Sequence, residues 1–124
     1  MGIEIDDYLN GVWTIAVAVE DGKDRFRQYL DELKDQKKYD QLDAIVAELQ
    51  SFSKRGQPRS REKFKPEGDG VFAIKCFQER VYGFFAGKNR FACVAGASKK
   101  KNKADQGLLK IVKRIKSRYE RERC

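Results

Sequence analysis

Histidine is absent from this sequence, and its 124 residues include only two prolines, one methionine, one tryptophan and three cysteines. Without histidine, serine and cysteine hydrolase triads and the usual zinc sites lose their commonest member. The scarcity of proline, together with 40% hydrophobic residues, argues for a folded chain rather than a disordered one. The cysteines are odd in number and far apart, with no C-x-x-C pair for zinc or redox work, which fits a reducing cytoplasm. Cys76 and Cys93 lie in apolar runs and read as small core residues. The longest apolar run, VWTIAVAV at 12–19, is too short to span a bilayer, and no positively charged leader precedes an apolar segment. A cytoplasmic protein with no membrane partner is therefore expected. Nucleotide-dependent chemistry lacks its motifs, since no G-x-x-x-x-G-K-[ST] loop occurs and no G-x-G-x-x-G opens a helix after a strand. Carboxylates are not clustered as they are in two-metal nucleases, so neither metal nor cofactor is expected.

What the chain does have is charge, unevenly spread. Residues 1–50 hold six Lys and Arg against twelve Asp and Glu, a net −6, while residues 51–124 hold twenty-one against seven, a net +14, giving +8 in all. The basic half suits an anionic partner. Its densest stretch is ASKKKNK at 97–103, four lysines directly after the apolar run FACVAGA. Crowded like charges repel one another, so the fold gains nothing from them.

Hydrophobic periodicity gives an α+β order within a single domain, 1–124. VWTIAVAVE at 12–20, followed by Asp-Gly, reads as a buried strand and turn. Phe26, Tyr29, Leu30 and Leu33 recur at helical spacing behind Asp24 as cap, and Tyr39, Leu42, Ile45, Val46, Leu49 and Phe52 repeat the pattern up to Gly56 and Pro58. From Gly70 the period falls to two: VFAIKCFQ, RVYGFFAG and FACVAGAS read as an antiparallel meander with turns at QE and GKN. Phe72, Ile74 and Cys76 share one face of the first run, so Lys75 points to the other, which is expected to be open. Phe72, Tyr82, Phe84, Phe85 and Phe91 read as core, with an exposed ring able to stack on an unpaired base. Leu108, Leu109, Ile111, Val112, Ile115 and Tyr119 make a last helix that Asp105 caps, its basic stripe forming a wet face. In the loop GQPRSREKFKPEGDG, Arg59, Arg61, Lys63 and Lys65 alternate; an extended backbone there points four cations one way and Phe64 into the core.

A cationic surface can cleave RNA without a metal, because the 2′-hydroxyl supplies the nucleophile and the protein need only move protons and stabilise the phosphorane. Arginine holds phosphate oxygens bidentately, and a lysine crowded by other cations has its ammonium form disfavoured, which brings its pKa toward a useful range.

The stretch FKPEGDGVFAIKCFQERVYGFFAGKNRFACVAGASKKKNK, followed by ADQGLLKIVKRIKSRYE, combines a lysine loop, a glycine and a short strand ending in a basic residue. After these come an arginine opening an aromatic strand, then a last strand running into a lysine cluster and a helix. In that order and spacing the chain resembles the RelE/ParE toxin superfamily of bacterial toxin–antitoxin modules, particularly its HigB-like, phage-derived branch, over roughly residues 12–119. The resemblance implies a RelE-like small domain, a mostly antiparallel sheet with two N-terminal helices on one face and a C-terminal helix. It implies the toxin of a type II system, a metal-independent endonuclease of messenger RNA on the ribosome, neutralised by a cognate antitoxin of helix-turn-helix type. Carried over, Lys75 matches the basic residue ending the first meander strand, Arg80 the arginine opening the second, and Lys99, Lys100 and Lys103 the terminal cluster. Arg80, taken to be exposed, would grip the scissile phosphate. Lys75 or a cluster lysine would accept the 2′-hydroxyl proton, and another cluster lysine would protonate the leaving oxygen. Arg59, Arg61, Lys63, Lys65 and Lys101 would hold RNA backbone. Two alternatives stay open: a ParE-type inhibitor of gyrase, and an RNA-binding module without catalysis.

Overall fold

The computed structural model describes residues 2–98 and 105–123. Along them run β1 (Ile3–Leu9), β2 (Thr14–Glu20), α1 (Arg25–Asp35), α2 (Tyr39–Arg55), β3 (Phe64–Pro66), β4 (Val71–Cys76), β5 (Glu79–Phe85), β6 (Arg90–Ser98) and α3 (Gln106–Arg123). The strands form a six-stranded sheet in the order β1-β2-β6-β5-β4-β3. β2 and β6 run parallel and every other neighbouring pair antiparallel, so the sheet is mixed and the class α+β.

Both helices before the meander form where the 3.6-residue period predicts. Asp24 caps α1, its carboxylate accepting the Arg27 N–H at 2.8 Å, and Phe26, Tyr29 and Leu33 are buried. α2 buries Ile45, Leu49 and Phe52 and stops at Gly56, whose φ of 97° a side chain would resist. The first strand of the sheet, β1, is absent from the periodicity reading. Its apolar Ile3 and Ile5 alternate with Glu4 and Asp6, which have poor strand propensity. Register with β2, from Ile3 opposite Glu20 to Asp7 opposite Ala16, compensates for that propensity.

Alternation divides the sheet into two faces. Ile15, Val17, Ile74, Val81, Phe91 and Cys93 form one buried cluster with α1 and α2 residues. Ala18, Ala73, Tyr82, Phe84, Ala92 and Val94 form the other with Leu109, Val112 and Ile115 of α3. The second face is thus not the open surface expected from sequence. Its alanines leave room for a helix to lie close, and α3 takes it.

An ion network fastens α3 to the end of β2. Glu20, 7% exposed, pairs with Arg25 at 3.0 Å, with Arg114, and with Arg118 at 3.3 Å, while Arg118 also reaches Asp21 at 2.7 Å. Hydrogen bonding from Arg114 holds the Glu20 carboxyl below its usual range despite burial. Much of the basic stripe on α3 is consequently engaged within the fold, with Lys113 also reaching Asp69 at 3.6 Å and Lys116 reaching Glu120 at 3.0 Å. Among the described residues no helix is long and apolar enough to cross a membrane.

β6 carries one irregularity that matters for the site. Tyr82 pairs with Ala95 but Gly83 with Cys93, so Val94 is an extra residue on the β6 side. Val94 and Ala95 both join the α3 cluster. Beyond them the parity is reset: Gly96 faces α1, where an added Cβ would collide with the Tyr29 ring.

Candidate nucleic-acid interface

The β4–β5 hairpin turns through Phe77 and Gln78, with Cys76 paired to Glu79, Lys75 to Arg80 and Ala73 to Tyr82. The turn is therefore one residue earlier than the Gln-Glu pair predicts, and Glu79 rather than Arg80 opens β5. That shift places Lys75 and Arg80 side by side on one face, the face of Ala73 and Tyr82.

Arg80 is only 4% exposed, a correction to its expected surface position. Its Nη1 donates to the Phe77 carbonyl at 3.0 Å and to the Glu79 carbonyl at 3.1 Å, so the guanidinium closes the hairpin turn from beneath. Lys75 is half-buried, and burial, the Arg80 charge and then the Lys65 charge push its ammonium pKa below the usual 10.5. Lys65 shares this face because it pairs with Ala73, diagonal to Lys75. An open groove of about 710 Å³ at the hairpin end is lined by Lys63, Lys75, Phe77 and Arg80 and also by Glu48 and Glu62. Burial raises the Cys76 thiol pKa, which removes it as a thiolate nucleophile at neutral pH.

The alternating cations before β3 do not form one extended run. Residues 61–63 make a turn and only Phe64–Pro66 are strand, because Ser60 caps the turn through its carbonyl and hydroxyl. Phe64 is buried as expected, stacked on Phe72 at 4.8 Å. Of the four cations, Lys63 and Lys65 reach the site and Arg59 and Arg61 stay exposed beyond it. Both lysines have acidic neighbours, Glu48 at 3.2 Å for Lys63 and Glu67 at 3.6 Å for Lys65. Lys63 is further tied to the hairpin, its carbonyl accepting the Lys75 N–H at 2.8 Å.

Lys99, Lys100, Lys101 and Lys103 lie outside the described residues. The residues on either side of them are both attached to β5. Ser98 pairs with Glu79 in the β5–β6 ladder and donates its hydroxyl to Glu79 Oε1 at 2.6 Å. Asp105 caps α3 by accepting the Leu108 N–H at 3.1 Å and donates its own N–H to the Tyr82 hydroxyl at 3.2 Å. Glu79 and Tyr82 flank Arg80 along β5.

Glu79 itself was not singled out by sequence. It is 2% exposed on the face opposite Arg80, and its Oε1 also accepts the Tyr29 hydroxyl at 2.7 Å. Burial, followed by the Glu79 hydrogen bond, drives the Tyr29 phenol well above its usual range, so it stays a donor. A glutamate beside a hairpin turn carries no sequence signal of burial; the helix-face position of Tyr29 is the only hint that a partner is required.

No protein-family model matches this sequence, and no curated protein matches it.

Proposed function

We propose that this chain is the toxin of a type II toxin–antitoxin module with a RelE-like fold, a metal-independent endonuclease that cuts messenger RNA on the ribosome and so stops translation. One observation carries the reading: Lys75 and Arg80 form a like-charged cross-strand pair on the β4–β5 hairpin, in a groove, with Lys65 diagonal to them. Arg80 is held by the turn carbonyls, but that does not call for a second cation opposite it; like charges across a ladder repel, and an anion bound at the pair would offset this.

In this mechanism the substrate phosphate enters the groove, and Arg80 acts as a fixed positive charge at its floor rather than as a swinging fork. Preorganised charge costs no reorganisation when the phosphorane forms. Lys75, its ammonium weakened by burial and by Arg80, accepts the 2′-hydroxyl proton. A lysine of the 99–103 segment protonates the departing 5′-oxygen. The P–O5′ bond breaks as the P–O2′ bond forms, leaving a cyclic phosphate and a 5′-hydroxyl. An antitoxin with an acidic segment would occupy the same groove, and their complex would weaken with salt.

The test is to incubate the purified chain with translating ribosomes and map messenger 5′ ends. New ends bearing 5′-hydroxyls, formed in EDTA-treated enzyme, are expected. Gyrase inhibition without RNA ends would identify the ParE-type activity instead, and RNA retention without ends a binding module.

A further inference from the structure

At the tip of the β4–β5 hairpin sits Phe77, 81% exposed, the most exposed of the large hydrophobic residues described. Its φ is 56°, a left-handed conformation that a bulky residue adopts only against a steric penalty. Glycine or asparagine would fill the first position of so tight a turn without that cost. Phe77 thus gains nothing from burial and is disfavoured by its backbone, so the fold supplies no reason for phenylalanine here.

The surroundings supply one. Phe77 lines the same groove as Lys75 and Arg80. Its carbonyl is held by the Arg80 guanidinium at 3.0 Å, which fixes the tip, and with it the base of the ring, relative to the arginine. An exposed ring on a fixed backbone beside cations is the arrangement by which proteins grip single-stranded nucleic acid: the cations take the phosphates and the ring takes a base.

We infer that Phe77 is a base-stacking residue, holding an unpaired RNA base next to the phosphate bound at Lys75 and Arg80. This rests on the RNA reading above and adds the element that would hold the nucleotide beside the cut in place. Stacking tolerates any base but favours large ones, so purines next to the scissile phosphate are preferred.

Two short single-stranded RNAs with 2′-O-methyl riboses, which cannot be cut, test this: one of ordinary sequence and one with abasic positions. Phe77→Ala should weaken binding of the ordinary strand about tenfold or more and leave the abasic strand unchanged. Phe77→Asn relieves the left-handed strain, so it should raise the thermal midpoint while losing the same affinity, which separates stacking from folding. Phe77→Trp should restore affinity and show fluorescence quenching by the ordinary strand alone, read against wild type, whose single tryptophan is Trp13. An equal loss on both strands would make the ring a structural or backbone contact and overturn the inference. So would wild-type affinity in Phe77→Ala, including the case where that variant loses only a co-expressed protein partner. If wild-type protein binds neither strand and cuts nothing on ribosomes, the RNA reading itself fails; if it cuts normally while Phe77→Ala cuts with unchanged site preference, only the stacking role fails.

Discussion

Lys75 and Arg80 stand directly opposite each other across the β4–β5 ladder, one half-buried and the other 4% exposed. The Arg80 charge disfavours the ammonium form of Lys75, and a phosphate bound at the proposed site would offset that repulsion. Removing either cation should slow cleavage, but the two removals should move stability in opposite directions.

Arg80→Ala should slow RNA cleavage on the order of 10² to 10³, as expected for loss of one preorganised charge. It should also destabilise the fold by about 1–3 kcal/mol, because the Phe77 and Glu79 carbonyls lose their donor at a buried position. Arg80→Lys keeps the charge but not the geometry and should fall between. Cleavage measured well below both thermal midpoints, beside urea unfolding, separates the two effects. A folded Arg80→Ala protein that cuts at the wild-type rate would remove Arg80 from the mechanism.

For Lys75 the direction reverses. Its pKa is lowered in the folded state, so the folded chain binds this proton less tightly than the unfolded chain. The resulting penalty is fully present below the folded pKa and is relieved as pH rises from there to the usual 10.5. Lys75→Met should accordingly raise the thermal midpoint at neutral pH, with the gain over wild type shrinking across that alkaline window. Cleavage should fall about 10² to 10⁴-fold, and the wild-type rate should climb with pH toward the Lys75 pKa. A pH profile that is the same in wild type and Lys75→Met would exclude Lys75 as the base.

Tyr29 and Ser98 both donate to Oε1 of Glu79. Tyr29→Phe should cost about 1–2 kcal/mol, since it strips a donor from a buried acceptor. With two donors sharing one oxygen, Tyr29→Phe and Ser98→Ala should be non-additive in a double-mutant cycle, by about 0.5 kcal/mol or more. Strict additivity in urea unfolding would show that the two bonds do not act through Glu79.

Glu20 gives the fold an acid limit. Its carboxyl is held below the usual 4.5 by Arg114, so its contribution is complete above 4.5 and is lost as pH falls through the lower folded value. Glu20→Gln should lower the thermal midpoint at neutral pH, and the difference from wild type should vanish in strong acid. Circular dichroism melts across pH 2–7 would read this directly.

Much of this architecture was legible in the sequence where one period dominates. Phe26 to Leu33 and Tyr39 to Phe52 sit on helices because their apolar spacing and the Asp24 and Gly56 caps agree. Lys75 was separated from Ile74 and Cys76 by simple alternation. The failures have local causes. β1 was missed because its alternating acids imitate a loop, and only pairing with β2 reveals the strand. The α3 face reads as open from sequence because much of its core is alanine beside Lys75, and alanine says nothing about burial until a helix is seen resting on it. The displaced hairpin turn followed from Phe77, since no turn rule places a phenylalanine at positive φ. Neither the order of strands nor the partnership of Glu79 with a tyrosine fifty positions away is encoded at short range.

The extra residue at Val94 sets the phase of everything β6 carries after it. Because side chains alternate, one inserted residue turns the rest of the strand over, and it is this inversion that points Ser98 at Glu79 and Tyr29 rather than at Arg80. Strand length here is counted modulo two. Deleting Val94, or adding one residue between Ala95 and Ser98, would exchange the two sides and turn an anchoring serine toward the cations, whereas a change of two would preserve the sides. Variation along this segment should therefore come in even steps, a constraint on insertions and deletions that holds whichever amino acids occupy the positions.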